Sequence, residues 1–264
     1  MNQDRVARLI GKSRMDISRL ESGHSADQGS VLDILEALGV EGERWTTIVA
    51  IASEAGAQGW WDTVRHIGDR QAIYADLEAG AVTIRAYEQT FLPGLLQIPE
   101  FVRARVSATE ALESESLKVE GLLAGRAGRQ RNLRRPGGPS FEVIVDEGAI
   151  FRLAAPPAVM GQQLRHLVEV INGNQRGITL RVLPTRARIA DFTVPRGPFS
   201  IYSYPDPGDP QVVAIDTVTS DVILTDAAQV SPYEKLYDRL RDAALPPAES
   251  ADFLAKAACD LPAD

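Results

Sequence analysis

Five carboxylates lie where proton chemistry could be done: Glu78, Glu88, Asp146, Glu147 and Asp216. Asp216 closes the apolar run QVVAID. An acid facing inward at a strand end must find a partner or have its pKa raised, which is what a general acid or base near neutral pH requires. Asp216, Glu88 and Glu78 are therefore the candidate catalytic groups. The plainer alternative for each is a carboxylate satisfied by backbone amides. The most basic stretch is the run Arg126, Arg129, Arg131, Arg134 and Arg135. It offers an anion site for a phosphorylated ligand or a nucleic-acid backbone, or else a solvated helix face paired with Glu110, Glu113, Glu115 and Glu120. Tyr87, Phe91, Phe101, Tyr202 and Tyr204 could line an apolar pocket for a planar ligand or pack as ordinary core. The candidate ligand-binding residues are Tyr87, Phe91, Phe101, Tyr204, Arg126 and Arg129.

Other chemistries lack their residues. Cys259 is the single cysteine, so no internal disulfide or CxxC metal site can form. His24, His66 and His166 have no HxxxH or HxxE neighbour, so no metal site is expected. Gly121, Gly125 and Gly128 follow no strand and suit a close helix contact rather than a phosphate loop. With no nucleophile triad order and no dinucleotide fingerprint, any catalysis is expected to be acid–base work without a cofactor. A net charge of -8 argues against a surface that is basic throughout. No apolar run approaches the roughly 20 residues of a membrane-spanning helix, and no signal peptide is recognised, so a soluble cytoplasmic protein is expected.

These residues need elements to position them. The pattern predicts an α+β chain: a small helical unit over 1–58, then a larger mixed α/β ligand-binding domain over 59–264. In the first, Val6, Leu9 and Ile10 recur at helical spacing until Gly11. Ser13 and Asp16 make a short capping box for the next helix, which ends at Gly23. Ser30 is expected to cap VLDILEALGV, with Val31, Ile34, Leu35 and Leu38 on one face, and a fourth helix follows over about Arg44 to Ala55. In the second, QAIYADLEAGA reads as a helix, VTIRAY as a strand, FLPGLLQ as a turn, and PEFVRARVSA as a helix begun by Pro99. Glu110 to Leu133 reads as one long helix. FEVIVD, ITLRVLP, FSIYSY, QVVAID and DVILT read as strands. Helices are expected over Pro157 to Val170, Ser231 to Ala244 and Glu249 to Ala258.

QDRVARLIGKSRMDISRLESG resembles helices two and three of an Xre-type helix-turn-helix domain, and SVLDILEALGV resembles its fourth helix. LEAGAVTIRAYEQTFLPGLLQIPEFVRA, GRAGRQRNL, VDEGAIFRL, QQLRHLVE, ITLRVLP and YEKLYDRLRDAAL resemble, in order, the C-terminal domain of unknown function found in many actinobacterial regulators of antitoxin-like type. PGLLQ is the most specific element. The resemblance implies DNA reading by Arg14, Ser18 and Arg19, a homodimer, and pairing with a small partner protein.

Two departures weigh against DNA. The helix that precedes this segment in the family has no counterpart here, either because the start is set too late or because the helix is lost, which should leave Val6, Leu9, Ile17 and Leu20 uncovered on one side. The first 40 residues also carry five positive side chains against six negative ones, and Asp16 would face a polyanion. The chain is then similar, by class, to transcription-regulator-like Pictet–Spenglerases, which condense a tryptophan-type amine with an aldehyde and close the ring. That chemistry needs an indole pocket, an acid and a base, and arginines if the aldehyde is phosphorylated. Two functions are therefore expected: binding of an aromatic small molecule with such a condensation, or DNA-binding regulation with a ligand- or partner-sensing domain.

Overall fold

The computed structural model describes residues 2–21, 28–55, 69–110, 119–173, 177–217 and 221–262. The chain has an α+β fold and divides into two compact units, Met1–Trp60 and Trp61–Asp264. Among the described residues no helix is long and apolar enough to cross a membrane, and no group of His, Cys, Asp and Glu could hold a metal ion.

The first unit contains α1 (Gln3–Leu9), α2 (Arg14–Glu21), α3 (Gln28–Ala37) and α4 (Gly42–Ala55). Gly11 and Gly39 take left-handed backbone, φ 67° and 66°, directly after α1 and α3, where a Cβ would be strained. Ser13 and Asp16 form the expected capping box: Asp16 N donates to Ser13 Oγ at 3.1 Å, and Ser13 N and Oγ donate to Asp16 Oδ2 at 3.0 and 2.7 Å. Asp16 is thus engaged at its own helix start. Val6, Ala7 and Ile17 form the small core, with Ile10 and Ile34 against it. Of the face expected to be bare, Leu9 is 58% exposed, whereas Val6 is 7% and Ile17 4%. Leu20 is half-buried. Leu38, expected inside, is exposed, and Ser30 lies buried within α3 instead of capping it, because that helix already runs from Gln28. Gly23 and the side chains of Arg19 and Ala52 lie outside the described residues.

The second unit is a mixed six-stranded sheet between helices. Its strands are β1 (Thr83–Glu88), β2 (Ser140–Asp146), β3 (Ile178–Leu183), β4 (Phe199–Ser203), β5 (Val212–Asp216) and β6 (Asp221–Leu224), in the order β3-β2-β1-β4-β5-β6. β1, β2 and β3 are parallel, and β4, β5 and β6 add on antiparallel. Side chains alternate between two faces. Ile84, Ala86, Val143, Val145, Leu180, Val182, Tyr202 and Ala214 point into a core closed by α9 (Pro157–Asn172) and α11 (Pro247–Cys259). Tyr87, Ile144, Phe199, Ile201 and Val213 pack on the opposite side against Val230, Tyr237 and Leu240 of α10 (Ala227–Ala243).

The remaining helices are α5 (Asp69–Gly80), α6 (Pro99–Glu110), α7 (Val119–Arg134) and α8 (Glu147–Phe151). Of the long helix expected from Glu110 to Leu133, Glu110 closes α6, 111–118 lie outside the described residues, and the rest is α7. α10 starts four residues before the expected Ser231 because Asp226 caps it, accepting from Ala228 N and Gln229 N at 2.9 and 3.3 Å. Pro232 therefore falls inside the helix instead of opening it.

Candidate functional site

Sheet register brings two of the candidate acids together. Ala86 on β1 is opposite Ser200 on β4, and Ser200 is opposite Ala214 on β5. Glu88 and Asp216 each lie two residues further on, so they end their strands at the same end of the sheet and on one face. Only β4 separates them, which at the usual spacing sets their backbones about 10 Å apart. At this end of the sheet lies a cavity of about 720 Å³, within the range of ligand sites. Ile84, Ala86 and Ala214 form its floor. Glu78, Glu88 and Asp216 supply acids, Arg105, Arg126 and Arg129 supply cations, and Tyr74, Phe91 and Tyr202 supply aromatic wall.

The cations differ in how they are held. Arg129 and Glu78 are buried, with side-chain exposures of 8% and 2%. Arg129 Nε donates to Glu78 Oε1 and Oε2 at 3.1 and 2.9 Å, Nη2 donates to Oε1, and Nη1 donates to Gln71 Oε1 at 2.7 Å. Its guanidinium also lies 5.3 Å from the centre of the Tyr74 ring. Burial alone would lower its pKa, but the Glu78 carboxylate more than offsets that and holds it above the ordinary arginine value. Burial, and then the Glu78 charge, hold the Tyr202 hydroxyl well above its usual range.

Arg126, one turn earlier on α7, is half-buried, with its Nε fully buried and making no hydrogen bond. Burial, and then the charge of Arg129, push its pKa down to about 9 against the pull of Glu78, Glu88 and Asp216. Its guanidinium lies against Gly94 of PGLLQ, where a Cβ would overlap Nη1. The glycine is thus the seat of the arginine. Three glutamines hold that loop. Gln97 Nε2 donates to Leu92 O at 2.8 Å, Gln130 Nε2 to Gln97 O at 2.8 Å, and Gln163 Nε2 to Leu96 O at 2.9 Å. Gln163 Oε1 also accepts from Ile98 N at 2.8 Å. Leu92, Leu95 and Leu96 anchor the same stretch in the core. Arg105 lies over the Phe91 ring at 4.6 Å, with Phe91 partly exposed.

Glu88 is the perturbed acid. Burial, then the negative charge of Asp216, push its pKa up to about 7, while Arg126 and Arg129 pull the other way. Near neutral pH it therefore exists in both protonation states, as proton transfer requires.

The other expected residues are distributed as follows. Tyr87 borders the cavity, but its ring packs on the α10 side and its hydroxyl donates to Asp146 Oδ2 at 2.9 Å. Asp146 Oδ1 also caps α8 through Gly148 N at 2.9 Å, and Glu147 accepts from Thr185 N at 2.7 Å. Both acids hold backbone rather than line the cavity. Phe101 is wholly buried in the core, and Tyr204 lies against Gly80 with its hydroxyl donating to Leu77 O at 3.4 Å. Neither lines the cavity. Arg131, Arg134 and Arg135 are exposed, and Arg135 donates to Ala79 O at 3.1 Å. In the first unit, Arg14 is exposed and lies 3.7 Å from Asp4, and Ser18 is half-buried.

The residues not anticipated are Gln71, Tyr74, Arg105, Gly94 and Gln163. Gln163 carried a signal: it falls between Met160 and Leu167 on the apolar face of α9, where a polar side chain needs a specific partner.

Fold and cavity together give an α+β protein with a partly open cavity lined by acids and arginines at the ends of two sheet strands. The family model described as Domain of unknown function (DUF5753) matches residues 71–256, and the chain belongs to that family. No curated protein and no solved structure matches the chain.

Proposed function

We propose that this chain is a cytoplasmic, regulator-like protein whose second unit binds an aromatic small molecule. It catalyses a cofactor-free Pictet–Spengler condensation of a tryptophan-type amine with an aldehyde. The observation that carries the reading is the pairing of Glu88, poised near pH 7, with Asp216 beneath an aromatic wall in one cavity. The amine adds to the aldehyde to give a carbinolamine. Protonated Glu88 donates to its hydroxyl, water leaves, and an iminium forms. The indole carbon attacks the iminium carbon, and Asp216 takes the ring proton to restore aromaticity. Proton return from Asp216 to Glu88 resets the pair, so one water is released per turn. Tyr74, Phe91 and Tyr202 offer ring faces for the indole. The test is turnover of tryptophan analogues with a panel of aldehydes, followed by mass spectrometry. Cyclised product formed faster than in buffer supports the reading, and no acceleration across the panel rejects it.

A second reading has its own support. α1 and α2 are joined by a tight turn at Gly11, and Arg14 and Met15 stand exposed on α2. Under it the chain is a dimeric DNA-binding regulator, with Arg14, Ser18 and Arg19 on the duplex and the cavity sensing a ligand or a small partner protein. Fluorescence anisotropy with a duplex library tests this: salt-dependent, sequence-selective binding favours the regulator.

A further inference from the structure

Two arginines of α7 face the same cavity, yet they are not equivalent. Arg129 is engaged by Glu78 and Gln71 and cross-links α7 to α5. Arg126 has its Nε sealed from solvent with no acceptor, and the loop beneath it is shaped to admit it by a glycine. A buried donor without an acceptor is uncommon in folded proteins and calls for a specific cause, and this one belongs to a side chain that lines the cavity.

We propose that Arg126 is the anion subsite of this cavity and takes a carboxylate or phosphate group of the ligand. The inference rests on the reading of the cavity as a ligand site and adds to it the charge of the ligand. The planar guanidinium fork is suited to two-oxygen anions. Its nearest rivals for that role are Glu88 and Asp216, which line the same space. Glu88 is only partly ionised near neutrality, so it leaves part of the arginine charge for an incoming group. Glu78, the third acid, is already held by Arg129. Arg105 brings further positive charge to the same cavity.

The experiment is calorimetry of the full chain at pH 7 with indole-3-acetate, phenyl phosphate and, as the uncharged counterpart, indole-3-acetamide. At least one anion should bind about tenfold or more tightly than the amide, as expected for a charge-assisted hydrogen bond. The tighter of the two anions identifies the group as carboxylate or phosphate. Arg126→Gln should erase the preference while amide affinity is kept, and Arg131→Gln, on the exposed side, should preserve it. Gly94→Ala keeps the charge but fills the seat, so it too should reduce the preference, with folding checked by circular dichroism. If the amide binds but the wild type shows no preference for either anion, or Arg126→Gln retains one, the subsite is refuted and the cavity reading stands. If none of the three probes binds, both fall.

Discussion

Replacing Glu88 by glutamine should make the protein more stable at pH 8 and leave it nearly unchanged at pH 5. In the unfolded chain Glu88 titrates near 4.5, and in the folded protein near 7, because burial and Asp216 oppose its charge more than Arg126 and Arg129 favour it. Between those values the folded state holds more protons than the unfolded one, so this group's contribution to stability falls as pH rises and levels off above pH 7. At about 1.4 kcal/mol per tenfold change in a proton equilibrium, the full penalty is about 3 kcal/mol. Water entering the open side of the cavity screens the charge, so a measured gain of about 1–3 kcal/mol is expected. Glutamine keeps the shape and removes the charge. Urea unfolding of wild type and Glu88→Gln, followed in parallel by circular dichroism at pH 5, 6, 7 and 8, gives the difference directly, since other titrating groups cancel between the two proteins. A difference that does not change with pH, or a variant less stable than wild type at pH 8, would refute the reasoning.

Glu78→Ala strands a buried guanidinium, and loss of one partner of such a pair costs about 3–5 kcal/mol, readable as a lower urea midpoint. Gln163→Leu leaves Ile98 N and Leu96 O unpaired at a cost of about 1–3 kcal/mol each, and by loosening the seat of Arg126 should reduce the preference for anion over indole-3-acetamide in calorimetry. Ser13→Ala removes the capping box of α2 and should cost about 1 kcal/mol in the first unit, measured by thermal unfolding of that unit's signals.

The order of elements was legible because alternation and capping are local. VTIRAY shows a period of two, FEVIVD and QVVAID are short apolar runs closed by an acid, and each is a strand. The company each side chain keeps was not legible in the same way. Glu88 and Asp216 meet because β4 inserts between β1 and β5, a pairing that no short stretch encodes. The arginine run reads as one feature along the chain, yet helical rotation turns Arg126 and Arg129 inward and leaves Arg131 and Arg134 outside, with Arg135 exposed past the helix end. Phe101 and Tyr204 were candidate pocket residues by type alone, and the one is turned into the core by its helix while the other, just past β4, packs against Gly80 of α5. The role of Gly94 needed the structure, since the reason for the glycine is an arginine on another helix. Gln163 could have been singled out, because a polar residue on an apolar helix face is a visible anomaly.

The most direct test of the central claim is the turnover of Glu88→Gln with saturating amine and aldehyde, beside its affinity for the amine alone. A general acid is worth about 10²-fold or more in rate, so turnover should fall by that factor while amine affinity stays within about threefold. Wild-type turnover in this variant would contradict the account.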